Sequence, residues 1–583
     1  MTAVRIGNAS GFYGDRRSAV REMLEGGELH YLTGDYLAEL TMLILGRDKL
    51  RDESLGYAKT FVRQLEDCLG LAMDRGVRIV TNAGGLNPAA LAGRIREIAT
   101  DQGISASVAY VEGDDLLPRS AELGFGEPLT ANAYLGAFGI AEALRGGADV
   151  VVTGRVTDAS LAVGPAIAHH GWGRADYDRL AGAVAAGHVI ECGTQATGGN
   201  VAGFESLDLA SKSGRRFGFP IAEIDEAGDS VITKHPGTGG AVTVDTVTAQ
   251  LVYEIDSPAY LGPDVVTRLD SLMLAADGPD RVAITGVCGS PPPAQLKVCL
   301  NRLGGFRNNV EFLLTGLDIE AKAAFVRDQL SDALASLPID TVEWHLERTD
   351  RPDPATQADA TARLRCHVRA ATPDAVGRSF SGAAVELALG SISGFTMTAP
   401  PGSGSPFGIY EPAYVDQDVP EQVAVHADGS RTPISLPSDS VSLTHSYKPI
   451  GAMRDSYKTT GPETAATVRA PLGRIAYARS GDKGGDANLG VWVSSNHPDR
   501  DSAYEWLRAL LDEKAVKQLL PEAADLDVDI HPLPNLHAVN IVLHGLLGEG
   551  VAASTRFDPQ AKAIGEWLRA REVDVPEQLL VAP

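Results

Sequence analysis

The run from Val150 to Ser160 brings an arginine, an aspartate and hydroxyl side chains together directly after an apolar segment. Arg155 carries a planar fork of donors that suits a carboxylate or phosphate, and Asp158 can orient this fork or act as a base. We predict catalytic roles for Arg155 and Asp158 and a substrate-binding role for Thr157. The alternative is structural: an Arg155–Asp158 pair that holds the loop, with Asp158 also capping the next helix.

A loop with two asparagines and two adjacent glycines follows the apolar residues that end at Thr81. Adjacent glycines let backbone amides approach an anion, and the start of the next helix adds about half a positive charge. The anion can be a carboxylate, a thioester oxygen or a coenzyme A phosphate. We predict that the loop binds substrate through Asn82, Gly84, Gly85 and Asn87. A tight turn with an asparagine cap is the alternative.

The segment from Glu191 to Asn200 places an acid, a thiol and an amide beside two glycines. We predict that Glu191 is a general acid or base, a role that requires burial or a neighbouring group to tune its pKa. Gln195 is predicted to bind substrate. Cys192 is predicted to be a small buried hydrophobic residue, because the sequence shows no base or cation that would lower its pKa.

Two further segments combine charge with glycine. Lys234 and His235 precede a glycine loop. We predict that Lys234 binds an anion and that His235, which titrates at roughly pH 5 to 8, takes part in catalysis; a satisfied loop histidine is the alternative. Asp482 and Lys483 lie in the charged segment 479–488 and are predicted to contact substrate. This segment can instead lock two domains together through ion pairs, and the sequence leaves both interpretations open.

The elements that position these residues follow from short β-branched runs that alternate with amphipathic stretches. This pattern predicts an α/β fold, with a parallel sheet covered by helices on both faces and joined by right-handed crossovers. In such sheets the loops at the carboxyl ends of the strands line the ligand crevice, so we expect Asn82, Asp158 and His235 to meet there. Arg155→Ala is then expected to abolish ligand binding with little loss of melting temperature. The predicted strands lie at residues 4–8, 31–35, 77–82, 108–112, 149–153, 230–233, 247–254, 281–287, 474–479, 489–493 and 538–543.

Domain boundaries are predicted from changes in composition along the chain. Residues 1–245 form the parallel-sheet part, and residues 246–397 form an α+β part of the same domain. Residues 398–472 are rich in proline, glycine, serine and threonine and are predicted as irregular connection. Residues 473–583 are predicted as a small α+β domain that is large enough for its own core.

The composition limits the classes of protein and partner. The chain has 583 residues, 44% of them hydrophobic and 22% charged, which is typical of a globular protein and excludes disordered and fibrous chains. Its formal net charge of −25 disfavours nucleic acids and anionic membranes as partners. Five scattered cysteines, and the absence of a presequence or long apolar run, predict a cytoplasmic protein. We predict no metal or redox cofactor, since no ligand motif or dinucleotide fingerprint is present, and we expect a homo-oligomer.

Four stretches of the sequence resemble the acyclic terpene utilisation AtuA family. They are Gly11–Arg16, Thr81–Pro88 and Val152–Ser160, together with Ala478–Gly490, which is similar to the family's C-terminal ferredoxin-like domain. The resemblance implies an α/β N-terminal layer followed by a ferredoxin-like α+β domain. It also implies a part in the breakdown of acyclic terpenoids or branched-chain acids, which are carried as acyl-CoA thioesters.

The resemblance and the residues together lead to an expected function. We expect a cytoplasmic enzyme that acts on a small-molecule acyl-CoA or carboxylate, of lyase or hydratase type, with coenzyme A only as the carrier of the substrate. The alternative is a non-catalytic binding or scaffold subunit that partners an acyl-CoA carboxylase or another pathway enzyme. The resemblance supplies no catalytic residues, so the predicted site depends on the residues named above.

Overall fold

The computed structural model describes residues 3–207, 216–442 and 466–580. This described part of the chain divides into two compact units. The first unit comprises Met1–Asn301, Tyr410–Val551 and Asp558–Pro583, and the second comprises Arg302–Ile409 and Ala552–Phe557. The predicted C-terminal segment 473–583, apart from Ala552–Phe557, lies in the same compact unit as the N-terminal sheet.

The strands alternate with helices along the N-terminal part, as the sequence pattern predicts. In chain order the strands are β1 Val4–Asn8, β2 Tyr31–Gly34, β3 Arg78–Thr81, β4 Val108–Glu112, β5 Thr130–Ala133, β6 Val150–Thr153, β7 Pro220–Ile224, β8 Ser230–Lys234, β9 Ala259–Leu261, β10 Val266–Arg268, β11 Met273–Ala276, β12 Val282–Thr285, β13 Cys288–Ser290, β14 Gln295–Thr315, β15 Thr341–Glu347, β16 Thr361–Ala370, β17 Thr396–Met397, β18 Ser405–Asp416, β19 Val423–Val425, β20 Arg431–Pro433, β21 Thr467–Pro471, β22 Ala476–Lys483, β23 Asp486–Val493, β24 Val528–Leu533, β25 Ala538–Leu543 and β26 Glu572–Pro576. The α-helices are α1 Ala19–Gly26, α2 Glu39–Arg51, α3 Lys59–Asp74, α4 Pro88–Asp101, α5 Phe138–Arg145, α6 Ser160–His170, α7 Tyr177–Ile190, α8 Val244–Leu251, α9 Ile319–Leu334, α10 Pro373–Val376, α11 Arg378–Glu386, α12 Arg500–Leu510, α13 Glu513–Leu519 and α14 Ile564–Ala570.

The central sheet of the first unit confirms the predicted parallel arrangement. Strands β1, β2, β3, β6 and β4 lie side by side in that order and pair in parallel. Antiparallel strands extend both edges, with β7, β8, β12 and β11 beyond β1 and β19 and β20 beyond β4. Because β2, β3 and β6 are neighbours, the loops that follow them emerge side by side at the carboxyl end of the sheet.

Helices cover both faces of this sheet, and the alternation of side chains along each strand explains why. On β3, Ile79 packs into a core with α1, α3 and α4, while Val80 packs into the core that contains α5, α6 and α7. On β6, Val150 and Val151 divide between the same two cores. Strands that are buried on both faces read as continuous apolar runs, which is the pattern that these segments show in the sequence.

The C-terminal part of the first unit is an antiparallel sheet in the order β22, β23, β25 and β24. Helices α12, α13 and α14 pack on it around an apolar core. Buried polar contacts join this sheet to the N-terminal part: the indole of Trp492 donates to Asp245 at 3.1 Å, and the amide of Asn488 donates to the carbonyl of Ile255 at 3.1 Å. These contacts fix the β22–β23 hairpin in the first unit.

The second unit contains an antiparallel sheet with strands in the order β15, β16, β14 and β17. One face of this sheet packs against α9 and α11 around residues such as Phe312, Leu364 and Phe380. The opposite face carries mostly charged and polar residues. An antiparallel sheet with one apolar and one polar face is the usual outcome of strict alternation along its strands.

Two segments differ from the sequence-based prediction. The predicted strand at 247–254 is wrong, because the chain forms helix α8 there. Thr243 and Thr246 exchange side-chain to backbone hydrogen bonds in a capping box, and the helix is buried on all sides, so its apolar residues show no period that separates helix from strand. The predicted irregular connection at 398–472 also contains strands, of which β18 is the longest. Residues 443–465 of that connection lie outside the described residues.

Candidate functional site

The loops after β2, β3 and β6 bring a group of polar side chains together. Asp35 directly follows β2 and accepts a hydrogen bond from the side-chain amide of Asn82, which follows β3, at 2.6 Å. Arg155 follows β6, and its Nη1 donates to Asp158 at 2.9 Å and to the carbonyl of Leu37 at 3.1 Å. The predicted residues Asn82, Arg155 and Asp158 therefore lie in one cluster, together with Asp35.

Arg155 is held rigidly within this cluster. Its side chain is 3% exposed, and its guanidinium lies 4.3 Å from the centre of the Tyr134 ring. Its backbone amide donates to the buried carboxyl of Asp114 at 2.8 Å. Within the described residues, Nε of Arg155 is buried and has no hydrogen-bond partner. A buried donor without a hydrogen-bond partner costs free energy. Such donors are rare in native structures, and a functional role is one explanation for them.

The carboxyl groups of the cluster have shifted pKa values. Burial raises the pKa of Asp35 well above its ordinary value; the nearby Asp158 raises it further, and Arg155 opposes the shift. Burial also raises the pKa of Asp158, against the opposing effect of Arg155. The side chain of Asp158 is nevertheless 30% exposed, against 3% for Arg155. A carboxyl with a raised pKa on a partly exposed side chain is suited to proton transfer with a bound molecule.

The β22–β23 hairpin contributes Lys483 to the same group of charges. Its ammonium donates to the backbone carbonyl of Glu254 at 2.8 Å. Burial alone would lower the pKa of Lys483, but the surrounding carboxylates raise it above its ordinary value. These carboxylates include Asp256, Glu254 and Glu39. Lys483 also influences the pKa of Asp158, which places the two side chains in one electrostatic environment. Lys483 is therefore a fixed cation beside the cluster at the carboxyl end of the sheet.

The predicted residue Asp482 forms a second ion cluster next to Lys483. Lys562 donates to Asp482 at 3.1 Å and to Glu254 at 3.1 Å, and it also contacts the hydroxyl of Tyr253. Burial and the neighbouring Glu254 raise the pKa of Asp482 to about 6. Lys562 thus links the charged segment 479–488 to Glu254 of the N-terminal part, which favours the interpretation of this segment as a lock; contact of Asp482 and Lys483 with substrate stays a prediction.

Glu191 is buried at the end of α7 and forms a pair with His188, one helical turn earlier. Nδ1 of His188 lies 2.9 Å from the Glu191 carboxyl. Burial raises the pKa of Glu191 well above its ordinary value, with further contributions from Asp158 and Glu254. Burial lowers the pKa of His188 to about 4. The other carboxyl oxygen of Glu191 is buried without a hydrogen-bond partner in the described part of the chain. Burial thus disfavours the charged form of both groups.

Gln195 and Cys192 lie in the short turn that follows. The side chain of Gln195 accepts a hydrogen bond from Arg479, which also donates to the carbonyl of Asn200 at 3.0 Å. Burial raises the pKa of the Cys192 thiol well above its ordinary value, so it carries no thiolate at neutral pH. This agrees with the interpretation of Cys192 as a packing residue rather than a nucleophile.

The glycine loop 81–88 packs against protein on the side of its glycines. A Cβ atom at Gly84 would lie 2.4 Å from the carbonyl oxygen of Thr153, and one at Gly85 would lie 2.4 Å from Leu45. Asn87 caps α4 by accepting from the amide of Ala90 at 3.3 Å. Gly84, Gly85 and Asn87 therefore shape the loop that positions Asn82. This matches the alternative interpretation of the loop as a tight turn with an asparagine cap.

Three other predicted residues do not join the cluster. Nε2 of His235 lies 3.0 Å from the carbonyl of Met23, and its ring packs on the end of α1. Lys234 pairs with Asp280 at 2.9 Å. Thr157 is next to Asp158 in sequence, and its hydroxyl is hydrogen bonded to that of Ser160 at 2.6 Å. The expectation that His235 would meet Asn82 and Asp158 is not supported, because its strand β8 is separated from β2 and β3 by β7 and β1.

Sequence reasoning missed several titratable residues in and around the cluster. They are Asp35, Glu39, His188, Glu254 and Lys562. Asp35 follows β2 as Asn82 follows β3, and His188 precedes Glu191 by three residues on one helix, so these two had a signal in the sequence. Glu254 and Lys562 had none, because they approach the cluster only through the tertiary fold.

A test of this electrostatic description uses the buried carboxyl of Asp114, whose pKa burial raises to about 7. Between its unfolded pKa of about 4 and this value, the folded state holds a proton that the unfolded state releases, so this group makes stability fall as pH rises. In Asp114→Asn this contribution disappears. We expect urea unfolding from pH 4 to 7 to show a steeper loss of stability in the wild type, by up to about 1.4 kcal/mol per pH unit. Parallel curves for the two proteins would contradict the assigned pKa.

Among residues 3–207, 216–442 and 466–580, no group of three or more His, Cys, Asp or Glu side chains is arranged to hold a metal ion. Over the same ranges, no helix combines the length and apolarity needed to cross a bilayer.

Comparison with protein families gives two matches. The model described as acyclic terpene utilisation family protein AtuA matches residues 4–425, and the model described as AtuA ferredoxin-like domain matches residues 470–574. No curated protein and no solved structure matches the chain. The first match covers Asp35, Asn82, Arg155, Asp158 and Glu191, and the second covers Lys483.

Proposed function

This chain belongs to the acyclic terpene utilisation AtuA family, and from this premise we propose that it is an enzyme of lyase or hydratase type that acts on an acyl-CoA or carboxylic acid. Family membership indicates a role in acyclic terpene utilisation. The proposal adds the reaction type and the substrate class. It uses no redox cofactor, and it draws its residues from the cluster at the carboxyl ends of β2, β3 and β6.

One observation carries the proposal: carboxyl groups with raised pKa values lie beside fixed cations. Arg155 and Lys483 provide the positive charge, and Asp158 and Glu191 provide the titratable groups. Removal of a proton from the carbon next to a carbonyl places negative charge on the carbonyl oxygen, and preorganised cations stabilise that charge. This combination is the one that elimination or addition of water next to a thioester or carboxylate requires.

The residues divide naturally between binding and proton transfer. In this proposal Arg155 and Lys483 hold the carboxylate or thioester carbonyl. Asp158 is the accessible carboxyl and removes the proton from the adjacent carbon. Burial favours the protonated form of Glu191, which protonates the departing hydroxyl. His188 is a positioning residue, since its contact is with Glu191.

Native mass spectrometry of the purified protein with a mixture of acyl-CoA thioesters tests this proposal. We expect the wild type to retain a thioester and to change the mass of that thioester by about 18 Da, the mass of one water. Lys483→Met is expected to lose retention, because the buried cation is removed. Lys514→Met, which alters an exposed lysine on α13, is the matched control and should behave as wild type. A protein that retains no thioester but binds an acyl-CoA carboxylase would instead favour the scaffold alternative.

A further inference from the structure

Lys297 is a lysine of the first unit whose ammonium lacks the usual partners of a desolvated cation. It lies on β14, and its backbone carbonyl accepts a hydrogen bond from the amide of Tyr134 at 2.9 Å, which continues the antiparallel register of β14 with β5. Lys297 is only partly exposed. A lysine ammonium has three N–H donors, yet Nζ of Lys297 forms no hydrogen bond or ion pair with any residue whose position the structure describes.

Two aromatic rings lie beside this ammonium. Nζ of Lys297 lies 5.4 Å from the centre of the Tyr134 ring and 5.6 Å from the centre of the Tyr410 ring. Both tyrosines belong to an apolar cluster that also contains Leu37 and Cys299. The faces of the rings attract a cation, but they do not replace the hydrogen bonds that water gives to an ammonium. An amine in these surroundings therefore gains less from being charged than an exposed amine does.

The charged groups around Lys297 act in both directions. Burial lowers the pKa of Lys297, and the neighbouring cation Lys483 lowers it further. Glu39, Asp256 and Cys299 oppose this shift without cancelling it. A lowered pKa increases the fraction of the uncharged amine, which is the form that attacks a carbonyl group. Desolvation and a nearby cation are the two means by which proteins activate a lysine as a nucleophile.

Glu39, the first residue of α2, places a carboxylate in the same environment. Its side chain accepts a hydrogen bond from the hydroxyl of Tyr134 at 3.0 Å. Burial alone would raise the pKa of Glu39, but the nearby Lys297 and Arg155 lower it below its ordinary value. Glu39 is therefore ionised at neutral pH and can accept a proton from a neighbouring group.

We propose that Lys297 is an amine nucleophile that forms an imine with the aldehyde or ketone group of a small molecule. Nζ of the uncharged amine bonds to the carbonyl carbon, its two protons pass to the carbonyl oxygen, and this oxygen leaves as water. Glu39 relays the protons between nitrogen and oxygen. An imine, once protonated, stabilises negative charge on the adjacent carbon, so it supports the making or breaking of a bond at that carbon. This activity goes beyond the proposed function, in which Lys297 has no part.

Reductive trapping of the full chain with acetone tests the proposal, because acetone is small and uncharged and cyanoborohydride reduces an imine in preference to a ketone. Hydride from cyanoborohydride and a proton from water convert the imine to a secondary amine, which adds the mass of acetone less one oxygen atom. Peptide mass spectrometry compares Lys297 with the internal control Lys514, an exposed lysine on α13. At neutral pH we expect Lys297 to be modified at least about tenfold faster than Lys514, although Lys297 is the less exposed of the two.

Modification of Lys297 no faster than that of Lys514 in the wild type would overturn the proposal, and this measurement needs no variant. In Lys297→Met the fast phase of labelling, followed by the mass of the intact protein, should disappear; a fast phase that persists would place the reactive amine elsewhere. Lys483→Met removes the neighbouring cation and should slow trapping at Lys297 severalfold without changing Lys514. An unchanged rate at Lys297, when circular dichroism shows that the variant is folded, would contradict activation by that charge.

Discussion

Arg155→Ala is expected to abolish turnover and to lower the free energy of unfolding by about 3–5 kcal/mol, the usual cost of removing one partner of a buried ion pair. Arg155 is 3% exposed, and its guanidinium offsets the charges of Asp158 and Asp35. Without it these carboxyls lose their buried counter-ion and must take up protons. The sequence alone predicts a loss of binding with little loss of melting temperature. The structure instead predicts that this variant loses both activity and stability.

Urea unfolding at neutral pH measures the stability of this variant, and Arg155→Lys separates charge from geometry. The lysine variant keeps the positive charge but lacks the fork that contacts Leu37 and Asp158 together. It should recover most of the stability and little of the turnover. An alanine variant as stable as the wild type would show that Arg155 does not compensate buried charge.

The sheet could be predicted from the sequence because its signals are local. The strands β1, β2, β3, β4 and β6 are apolar runs bounded by turn residues, and each lies within one or two residues of its predicted position. Helix α8 was missed for a physical reason. It is buried on all sides, so its sequence lacks the one-sided pattern of an amphipathic helix, and the capping threonines Thr243 and Thr246 were the remaining signal.

The site could be predicted only in part. Residues that are marked by their own segment of sequence could be predicted, and residues that depend on contacts with distant segments could not. Asn82, Arg155 and Asp158 were identifiable because they follow strands of a parallel sheet, whose carboxyl ends meet at one edge. The same rule failed for His235. Its strand β8 runs antiparallel to β7, near one edge of the sheet, and lies outside the parallel strands that form the crevice.

Contacts between distant parts of the chain were beyond sequence reasoning. Lys562 contacts Glu254, although the two residues are more than 300 positions apart in the sequence. Neither residue lies in a motif that would indicate this contact. Glu254 adopts a left-handed backbone conformation with a φ of 56°, which its sequence context does not predict. The approach of the C-terminal hairpin to the N-terminal sheet depends on complementary surfaces that no single segment encodes.

Asp158→Asn is expected to reduce turnover by about 10²- to 10⁴-fold, the usual contribution of a general acid or base. Asparagine has nearly the same shape, and its side-chain oxygen can still accept from Arg155, but it cannot exchange a proton. The side chain is 30% exposed, so this replacement should change stability much less than the loss of Arg155. Retained substrate binding with lost turnover would distinguish Asp158 from Arg155 and Lys483, whose replacement is expected to weaken binding.

Deuterium exchange tests the central claim most directly, because proton transfer next to the carbonyl can be followed without knowing the final product. The acyl-CoA or carboxylate that the protein retains is incubated in D₂O with wild type, Asp158→Asn or Asp101→Asn, an exposed carboxylate on α4 that serves as the control. We predict that mass spectrometry finds deuterium at the carbon next to the carbonyl with wild type and Asp101→Asn, and none with Asp158→Asn. Exchange at the wild-type rate in Asp158→Asn, or no exchange with the wild type, would contradict the account.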